Sequence, residues 1–247
     1  APVKQLSIER VQHFSETMRD NCGRKELTWI DSVGTSIMYN VAMAFNGAPK
    51  CYAFDLDDGR VAEAKAKAAA DGALSYVSTN DLLTSGFFNA CNTRIGVMAM
   101  DCRGKLDGIT GDMAGNYVTS LVLDSTTFGT PASLRKMYAS MPYKTTGRPL
   151  PGMCACCGCG GNESNCGQIT NWSSFAGDLI KLEGCELSLH VPVHPYPPEY
   201  ICWDEMIPFA RGPGGKKGVI IWTVNSDEKG LRETLPIGSC VDSKLFP

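Results

Sequence analysis

The chain has 247 residues, a formal net charge of −3, 43% hydrophobic residues and 20% charged residues. This length suits one α/β domain, or one domain with a large insertion, and the composition is that of a globular protein. The charge balance gives no reason to expect a nucleic-acid partner or an anionic membrane surface. No apolar run approaches the roughly 18 residues that a membrane-spanning helix needs, so we expect no membrane span.

The cysteine content points to an oxidising compartment. Twelve cysteines are many for a cytosolic chain of this size, and their even number favours disulfide bonds. Two Asn-x-Ser sequons, at Asn162 and Asn171, are acceptor motifs for N-glycosylation. The sequence therefore predicts a secreted or lumenal protein that is glycosylated at these two positions.

Residues 26–71 read as a βαβα unit that follows an amphipathic helix over residues 3–20. Its predicted elements are the strand Leu27–Asp31, the helix Ser36–Phe45, the strand Lys50–Asp55 and the helix Gly59–Asp71. A pattern of this kind requires a parallel sheet with right-handed crossover connections.

The remaining chain continues with strand patterns that a long, irregular segment interrupts. The predicted strands are 74–77, 94–100, 105–110 (the hairpin partner of 94–100), 117–123, 178–181, 187–193 and 218–225, and the predicted helices start near 80 and cover 131–140 and 203–210. Residues 125–171 are rich in Gly, Pro, Ser, Thr and Cys. We predict one domain over residues 1–247, with residues 125–171 as a cysteine-rich insertion.

Acidic residues close the first two strands of the βαβα unit. Asp31 ends the first predicted strand, with Gly34 and Ser36 following it, and Asp55 ends the second. Folds of this class bind nucleotide-like ligands at the first turn and hold the ribose with an acid at the end of the second strand. Acids at strand ends also serve as caps of the next helix, which is the competing structural explanation.

Five segments of the chain resemble S-adenosylmethionine-dependent methyltransferases, in the order in which that class has them. Residues 29–36 and 47–55 are similar to its first loop and second strand, and residues 94–104, 118–124 and 178–186 are similar to motifs of its FkbM-type branch. The resemblance implies a Rossmann-like methyltransferase-type α/β fold, with a mostly parallel sheet and helices on both faces.

The same resemblance implies a cofactor, a substrate class and site residues. S-adenosylmethionine would be bound by Asp31, Gly34, Ser36 and Asp55, and the acceptor would be an oxygen nucleophile of a small molecule or a saccharide. The candidate general bases are Glu183 and Asp124.

The run Cys154, Cys156, Cys157 and Cys159 has two interpretations. Its Cys-x-Cys-Cys-x-Cys spacing is typical of thiolate clusters that bind Zn²⁺ or Cu(I). The alternative is disulfide bonding among these four cysteines and four others, which are Cys166, Cys185, Cys202 and Cys240. The neighbouring sequons favour the disulfide interpretation.

Four functions stay open at this point. The first is methyl transfer on an active or catalytically degenerate methyltransferase-like scaffold. The second is a non-enzymatic, disulfide-stabilised structural or assembly protein, for which self-association would be expected. The third is thiolate metal binding. The fourth is a haloacid-dehalogenase-like phosphatase, because Asp55-Leu56-Asp57 follows an apolar strand as that class requires of its nucleophile and its acid.

Overall fold

One mixed β-sheet forms the centre of the structure, a computed structural model. The structure describes residues 49–70, 76–105, 108–113, 117–139, 166–173, 183–185, 189–190, 203–211 and 215–241. The predicted helix over 3–20, the first half of the predicted βαβα unit and the predicted strand 178–181 lie outside these residues.

Strands and helices alternate irregularly along the described chain. The elements are β1 (Lys50–Leu56), α1 (Asp58–Ala70), α2 (Thr79–Ala90), β2 (Ile95–Asp101), β3 (Val118–Leu123), α3 (Ser125–Phe128), α4 (Pro131–Ala139), β4 (Cys166–Ile169), β5 (Leu189–His190), β6 (Asp204–Arg211), β7 (Lys216–Thr223), α5 (Glu228–Thr234) and β8 (Ile237–Cys240). None of the described helices is long and apolar enough to cross a membrane.

The strand order is β3-β2-β4-β6-β7-β1-β8, with β5 paired beside β6. Among the described strands, β4 runs parallel to β2 and to β6, and the other pairings are antiparallel. The predicted Rossmann-like fold with a mostly parallel sheet is therefore wrong. The predicted second strand of the βαβα unit is β1, and both of its neighbours, β7 and β8, are antiparallel to it. An apolar run has the same composition in either pairing, so the sequence pattern did not reveal the direction.

All described helices contribute to one apolar core on a single face of the sheet. This core contains Val61 of α1, Phe87 of α2, Phe128 of α3, Leu134 of α4 and Leu231 of α5. A smaller cluster of Phe209, Ile220 and Val241 contains no helical residue. The expectation of helices on both faces is thus not met by the described helices.

Several single elements are confirmed although the topology differs. The strands predicted over 50–55, 94–100, 117–123 and 218–225 and the helices predicted over 59–71 and 131–140 occur with small shifts of their ends as β1, β2, β3, β7, α1 and α4. The predicted helix over 203–210 is wrong, because these residues form β6. Residues 204–210 are all buried, and a strand that is buried on both faces shows no alternation to distinguish it from a buried helix.

The hairpin partner of β2 was also assigned wrongly. Its antiparallel neighbour is β3, and not residues 105–110. The chain between them turns at Gly104, where the backbone N–H donates a hydrogen bond of 2.7 Å to the carbonyl of Ile109. Residues 131–139 and 166–169, which fall within the predicted insertion, supply α4 and the central strand β4.

A pair of glycines lets α2 approach the middle of the sheet. Gly96 of β2 and Gly167 of β4 are partners across the parallel pair. A Cβ atom would lie 2.5 Å from the Phe88 ring at Gly96 and 2.9 Å from it at Gly167. The ring therefore lies directly on the backbone of both strands, where only glycine leaves room for it.

This contact predicts a large effect of a single methyl group. Gly96→Ala places its Cβ inside the Phe88 ring, and we expect overpacking to lower the free energy of unfolding by about 2 kcal/mol. Urea denaturation measures the loss. Gly111→Ala is the matched control, because nothing lies within 4 Å of its Cβ position. Equal stability of the two variants would contradict the packing described here.

Candidate functional site

Two of the acids that were expected to bind the cofactor or to act as a base, Asp55 and Asp124, have structural partners. Asp55 at the end of β1 is buried, and its Oδ2 lies 2.9 Å from Nζ of Lys216. Asp124 is the N-cap of α3, where its Oδ1 accepts hydrogen bonds from the backbone N–H groups of Thr126 and Thr127 at 3.1 and 3.3 Å. Asp124 thus follows the capping explanation of strand-end acids.

Asp55 and Asp124 lie far apart in the sheet. Asp124 follows β3 at one edge of the sheet, and Asp55 lies five strands away in β1, which is a distance of about 24 Å at ~4.8 Å per strand. Glu183 is exposed in a turn before Gly184. Asp31, Gly34 and Ser36 lie outside the described residues. The S-adenosylmethionine site therefore stays a prediction from the sequence.

The two acids of the phosphatase interpretation also have structural partners. Its acid, Asp57, caps α1, because Oδ1 accepts a hydrogen bond of 3.0 Å from the backbone N–H of Arg60. Its nucleophile, Asp55, is paired with Lys216. Both carboxylates thus have local structural partners, and the phosphatase interpretation stays a prediction.

The predicted cysteine sites are only partly described. Cys166 is half-buried at the start of β4, and Cys185 and Cys240 are exposed thiols. No two cysteines of the described ranges form a disulfide, and no group of three or more His, Cys, Asp or Glu in these ranges has the arrangement of a metal site. Cys154, Cys156, Cys157, Cys159 and Cys202 lie outside them, as does Asn162, so the disulfide and metal interpretations stay predictions.

A polar cluster that the sequence did not reveal lies at the carboxyl ends of the parallel strands β2 and β4. We call it the strand-end cluster, and it consists of Tyr76, Asn80, Asp81, Met98, Arg135, Tyr138, Asn171 and Ser173. In open sheets, ligands bind beyond the carboxyl ends of parallel strands. The helix α2 also begins here, with Ser78 as its N-cap.

Two carboxamides form the centre of the strand-end cluster. Asn171, two residues after the end of β4, donates from Nδ2 to Oδ1 of Asn80 at 2.7 Å. Oδ1 of Asn171 accepts from the backbone N–H and the hydroxyl of Ser173 at 2.9 and 2.7 Å. Nδ2 of Asn80 lies 3.9 Å from Sδ of Met98, to which the hydroxyl of Tyr138 also donates. The two asparagines are thereby held in fixed orientations.

An ion pair between Asp81 of α2 and Arg135 of α4 forms the part of the cluster that lies on the helices. Asp81 is fully buried, and its Oδ2 accepts hydrogen bonds from Nε and Nη2 of Arg135 at 2.8 and 2.6 Å. The same oxygen accepts from the backbone N–H of Ser78 at 2.7 Å, which completes a capping box. The guanidinium lies 5.2 Å from the ring centre of Tyr76 and 5.8 Å from that of Tyr138. The two charges compensate each other, so the cluster is neutral.

A second polar group is buried near the other ends of these strands. Asp204 accepts from the backbone N–H of Val224 at 3.0 Å and from Nδ2 of Asn225 at 2.8 Å, and Sγ of Cys91 lies 3.6 Å from the hydroxyl of Thr223. Burial raises the pKa of Asp204. Burial, with the charge of Asp204, raises the pKa of Cys91 well above its usual range. Cys91 is fully buried, so this thiol is a packed residue and not a nucleophile.

The comparisons with known proteins leave the family open. The sequence matches no protein-family model and no curated protein sequence. Among solved structures, a chloramphenicol acetyltransferase is similar with a TM-score of 0.39 and 11% identity, over 80% of this chain and 90% of that one. The X-domain from teicoplanin biosynthesis is similar with a TM-score of 0.43 and 15% identity, over 93% of this chain and 57% of that one. Likeness at this level carries no conclusion about activity.

Sequence reasoning missed Asn80 and Arg135 and gave Asn171 another role. The pattern Ser78-x-x-Asp81 is a capping-box signature, which marks the start of α2. Asn80 lies in this first helical turn, so the signature could have located it. Arg135 had no such signal, because its partner Asp81 is 54 residues away.

Removal of Arg135 would leave the buried Asp81 charge without its counter-ion. Loss of one partner of a fully buried pair costs about 3–5 kcal/mol. Since the Arg135 side chain is 28% exposed, we expect Arg135→Ala to lower the free energy of unfolding by about 2 kcal/mol. Lys136→Ala, at the exposed neighbouring position, is the control in the same denaturation experiment. A loss no larger than that of the control would refute the role of the pair.

The raised pKa of Asp204 predicts that the stability of the fold depends on pH. Its pKa is raised in the folded chain, so its contribution is fully present below the ordinary Asp pKa of about 4 and is lost as the pH rises through the folded-state pKa. The free energy of unfolding of the wild type minus that of Asp204→Asn should therefore fall as the pH rises from about 4. Urea denaturation at a series of pH values tests this, and a difference that is constant or rises would contradict it.

Proposed function

We propose that this chain binds a small, neutral, hydroxyl-rich molecule of the saccharide type at the strand-end cluster. The observation that carries the proposal is the pair of half-buried carboxamides, Asn80 and Asn171, joined at 2.7 Å at the carboxyl end of β4. Sites of this kind combine fixed polar groups with apolar ring faces.

The chemistry of the carboxamides favours hydroxyl groups. An asparagine side chain offers two donor hydrogens and an acceptor oxygen with two lone pairs. The contact between Asn80 and Asn171 uses one hydrogen of Asn171 and one lone pair of Asn80. Ser173 donates twice to Oδ1 of Asn171, and one N–H of Asn80 is directed at Sδ of Met98. One N–H of each asparagine and one lone pair of Asn80 therefore remain, and sugar hydroxyls, which both donate and accept, match this remaining capacity.

The neighbouring side chains favour a neutral ligand with apolar faces. Arg135 is paired with Asp81 at 2.6 Å, so the cluster has no net charge to offer an ionic ligand. The ring of Tyr76 is 59% exposed, and Trp172, which follows Asn171, is half-buried. Aromatic faces of this kind pack against the C–H groups of a sugar ring.

Titration with saccharides tests the proposal. We expect saturable binding of at least one member of a panel of glucose, galactose, mannose, N-acetylglucosamine and their disaccharides, measured by calorimetry and ligand-observed NMR. Asn80→Ala should weaken that binding at least tenfold, which is about 1.4 kcal/mol. Asn89→Ala is the control, since Asn89 is an exposed asparagine near the other end of α2.

Two outcomes would count against the saccharide site. One is the absence of saturable binding to the whole panel, and the other is equal weakening by Asn80→Ala and Asn89→Ala. S-adenosylmethionine is titrated in parallel, because methyl transfer stays a prediction from the sequence. Saturable binding of that cofactor would favour the methyltransferase function instead.

A structural or assembly function is the second candidate. It is favoured by the local roles of two predicted site residues, since Asp55 is paired with Lys216 and Asp124 caps α3. For this function we expect self-association in sedimentation analysis and no saturable binding of any titrated ligand. Titration and sedimentation of the same purified protein therefore distinguish the two candidate functions.

A further inference from the structure

The edge strand β3 presents backbone groups that fit a second copy of the same strand. We propose that two copies of this chain associate through β3, in antiparallel pairing about a two-fold axis that passes between the two Ser120 residues, so that their sheets join into one. The inference rests on the geometry of one strand, and it does not depend on which candidate function holds.

Strand β3 ends the sheet on one side. Among the described strands its only neighbour is β2, to which it is antiparallel in unbroken register from Val118 to Leu123. Just before this stretch, the backbone N–H of Cys102 donates to the carbonyl of Tyr117 at 2.9 Å. The pair of Cys102 and Tyr117 is therefore of the hydrogen-bonded type.

This pair determines the direction of every backbone group in β3. Hydrogen-bonded and non-hydrogen-bonded pairs alternate along an antiparallel ladder. Since Val118 is the next residue after Tyr117, the N–H and C=O groups of Val118, Ser120 and Val122 point away from β2. Three donors and three acceptors thus face the edge of the sheet.

These outward groups are complementary to a second copy of themselves. They are evenly spaced about Ser120, so a two-fold axis at Ser120 places Val118 of one copy opposite Val122 of the other. Ser120 then lies opposite the same residue of the second copy. Each of these pairs exchanges two hydrogen bonds, so all outward groups of both strands are used. Such an isologous contact closes at two copies and does not continue into a filament.

The residues of β3 also favour pairing. Natural edge strands are kept from pairing by charged residues, proline or bulges, and the sequence of β3, Val-Thr-Ser-Leu-Val-Leu, contains no charge and no proline. Val118 is 44% exposed, and Ser120 is exposed as well. The neighbouring Leu121 and Leu123 belong to the core on the other face. A second strand beside β3 would cover part of the Val118 side chain.

The opposite edge of the sheet is less suited to pairing. There, the carbonyls of Ile237 and Gly238 in β8 accept hydrogen bonds from Nη1 of Arg60 and of Arg232 at 2.9 and 2.7 Å. Guanidinium groups thus occupy backbone acceptors of β8, which is also only four residues long. The association is therefore expected at β3 and not at β8.

Sedimentation equilibrium of the full chain tests the inference through a charge exchange at the symmetry axis. We expect the wild type to form dimers with a dissociation constant in the micromolar range. Ser120→Lys and Ser120→Glu each place two like charges directly opposite each other, so each variant alone should dimerise at least tenfold more weakly. An equimolar mixture of the two variants should regain the dimer, because a lysine and a glutamate then face each other across the axis.

Ser239→Lys and Ser239→Glu are the matched controls, since Ser239 is an exposed serine in β8 at the other edge. They should dimerise as the wild type does. A wild type that stays monomeric would overturn the inference, and a strand from a different protein would then be the occupant to test. Equal weakening by the substitutions at Ser120 and Ser239, or a mixture that stays monomeric, would also overturn it.

Amide hydrogen exchange gives a second readout that needs no variant. The N–H groups of Val118, Ser120 and Val122 should exchange more slowly above the dissociation constant than below it, because they are bonded only in the dimer. The N–H of Leu121, which points toward β2, should change less. Exchange at Ser120 that is independent of protein concentration would contradict pairing through β3.

Discussion

The contact between the Phe88 ring and two strand backbones is the constraint on which the arrangement of the sheet and helices depends. Gly96 and Gly167 are opposite each other in β2 and β4, and any side chain at either position would occupy the space of the ring. The same helix has Gly86 on another side, where a Cβ would be 2.9 Å from the carbonyl of Thr234 in α5. Helix α2 is therefore held between the sheet and α5 by close approach of backbones, and its position along the strands is fixed.

The strand-end cluster follows from that position. With Phe88 over the glycine pair, the first turn of α2 is placed beside the carboxyl ends of β2 and β4, where Asn80 meets Asn171 and Met98. The capping box of Ser78 and Asp81 fixes the start of the helix, and Arg135 brings α4 to the same place through the buried carboxylate. The helix start, the strand end and the ion pair thus orient one another, which gives a neutral polar surface of defined geometry.

Strands β1 and β4 differ in how far local sequence signals determine them. The strand at Lys50–Leu56 and the helix after it were predictable, because an apolar run and a capped amphipathic segment are local signals. The direction of its neighbours was not, since β7 and β8 come from more than 150 residues later in the chain. The four residues of β4 follow a segment without regular pattern, yet they occupy the middle of the sheet. Their glycine, which weakens the local strand signal, is the residue that admits Phe88.

The sequence by itself determined most of the described local elements, because these depend on the spacing of apolar residues. Only the tertiary structure decided which strands are parallel, that Asp55 pairs with Lys216, and that Asn80, Arg135 and Asn171 share a site. These contacts join residues 54 to 161 positions apart, and no local pattern encodes a pairing that is formed by the packing of a whole sheet.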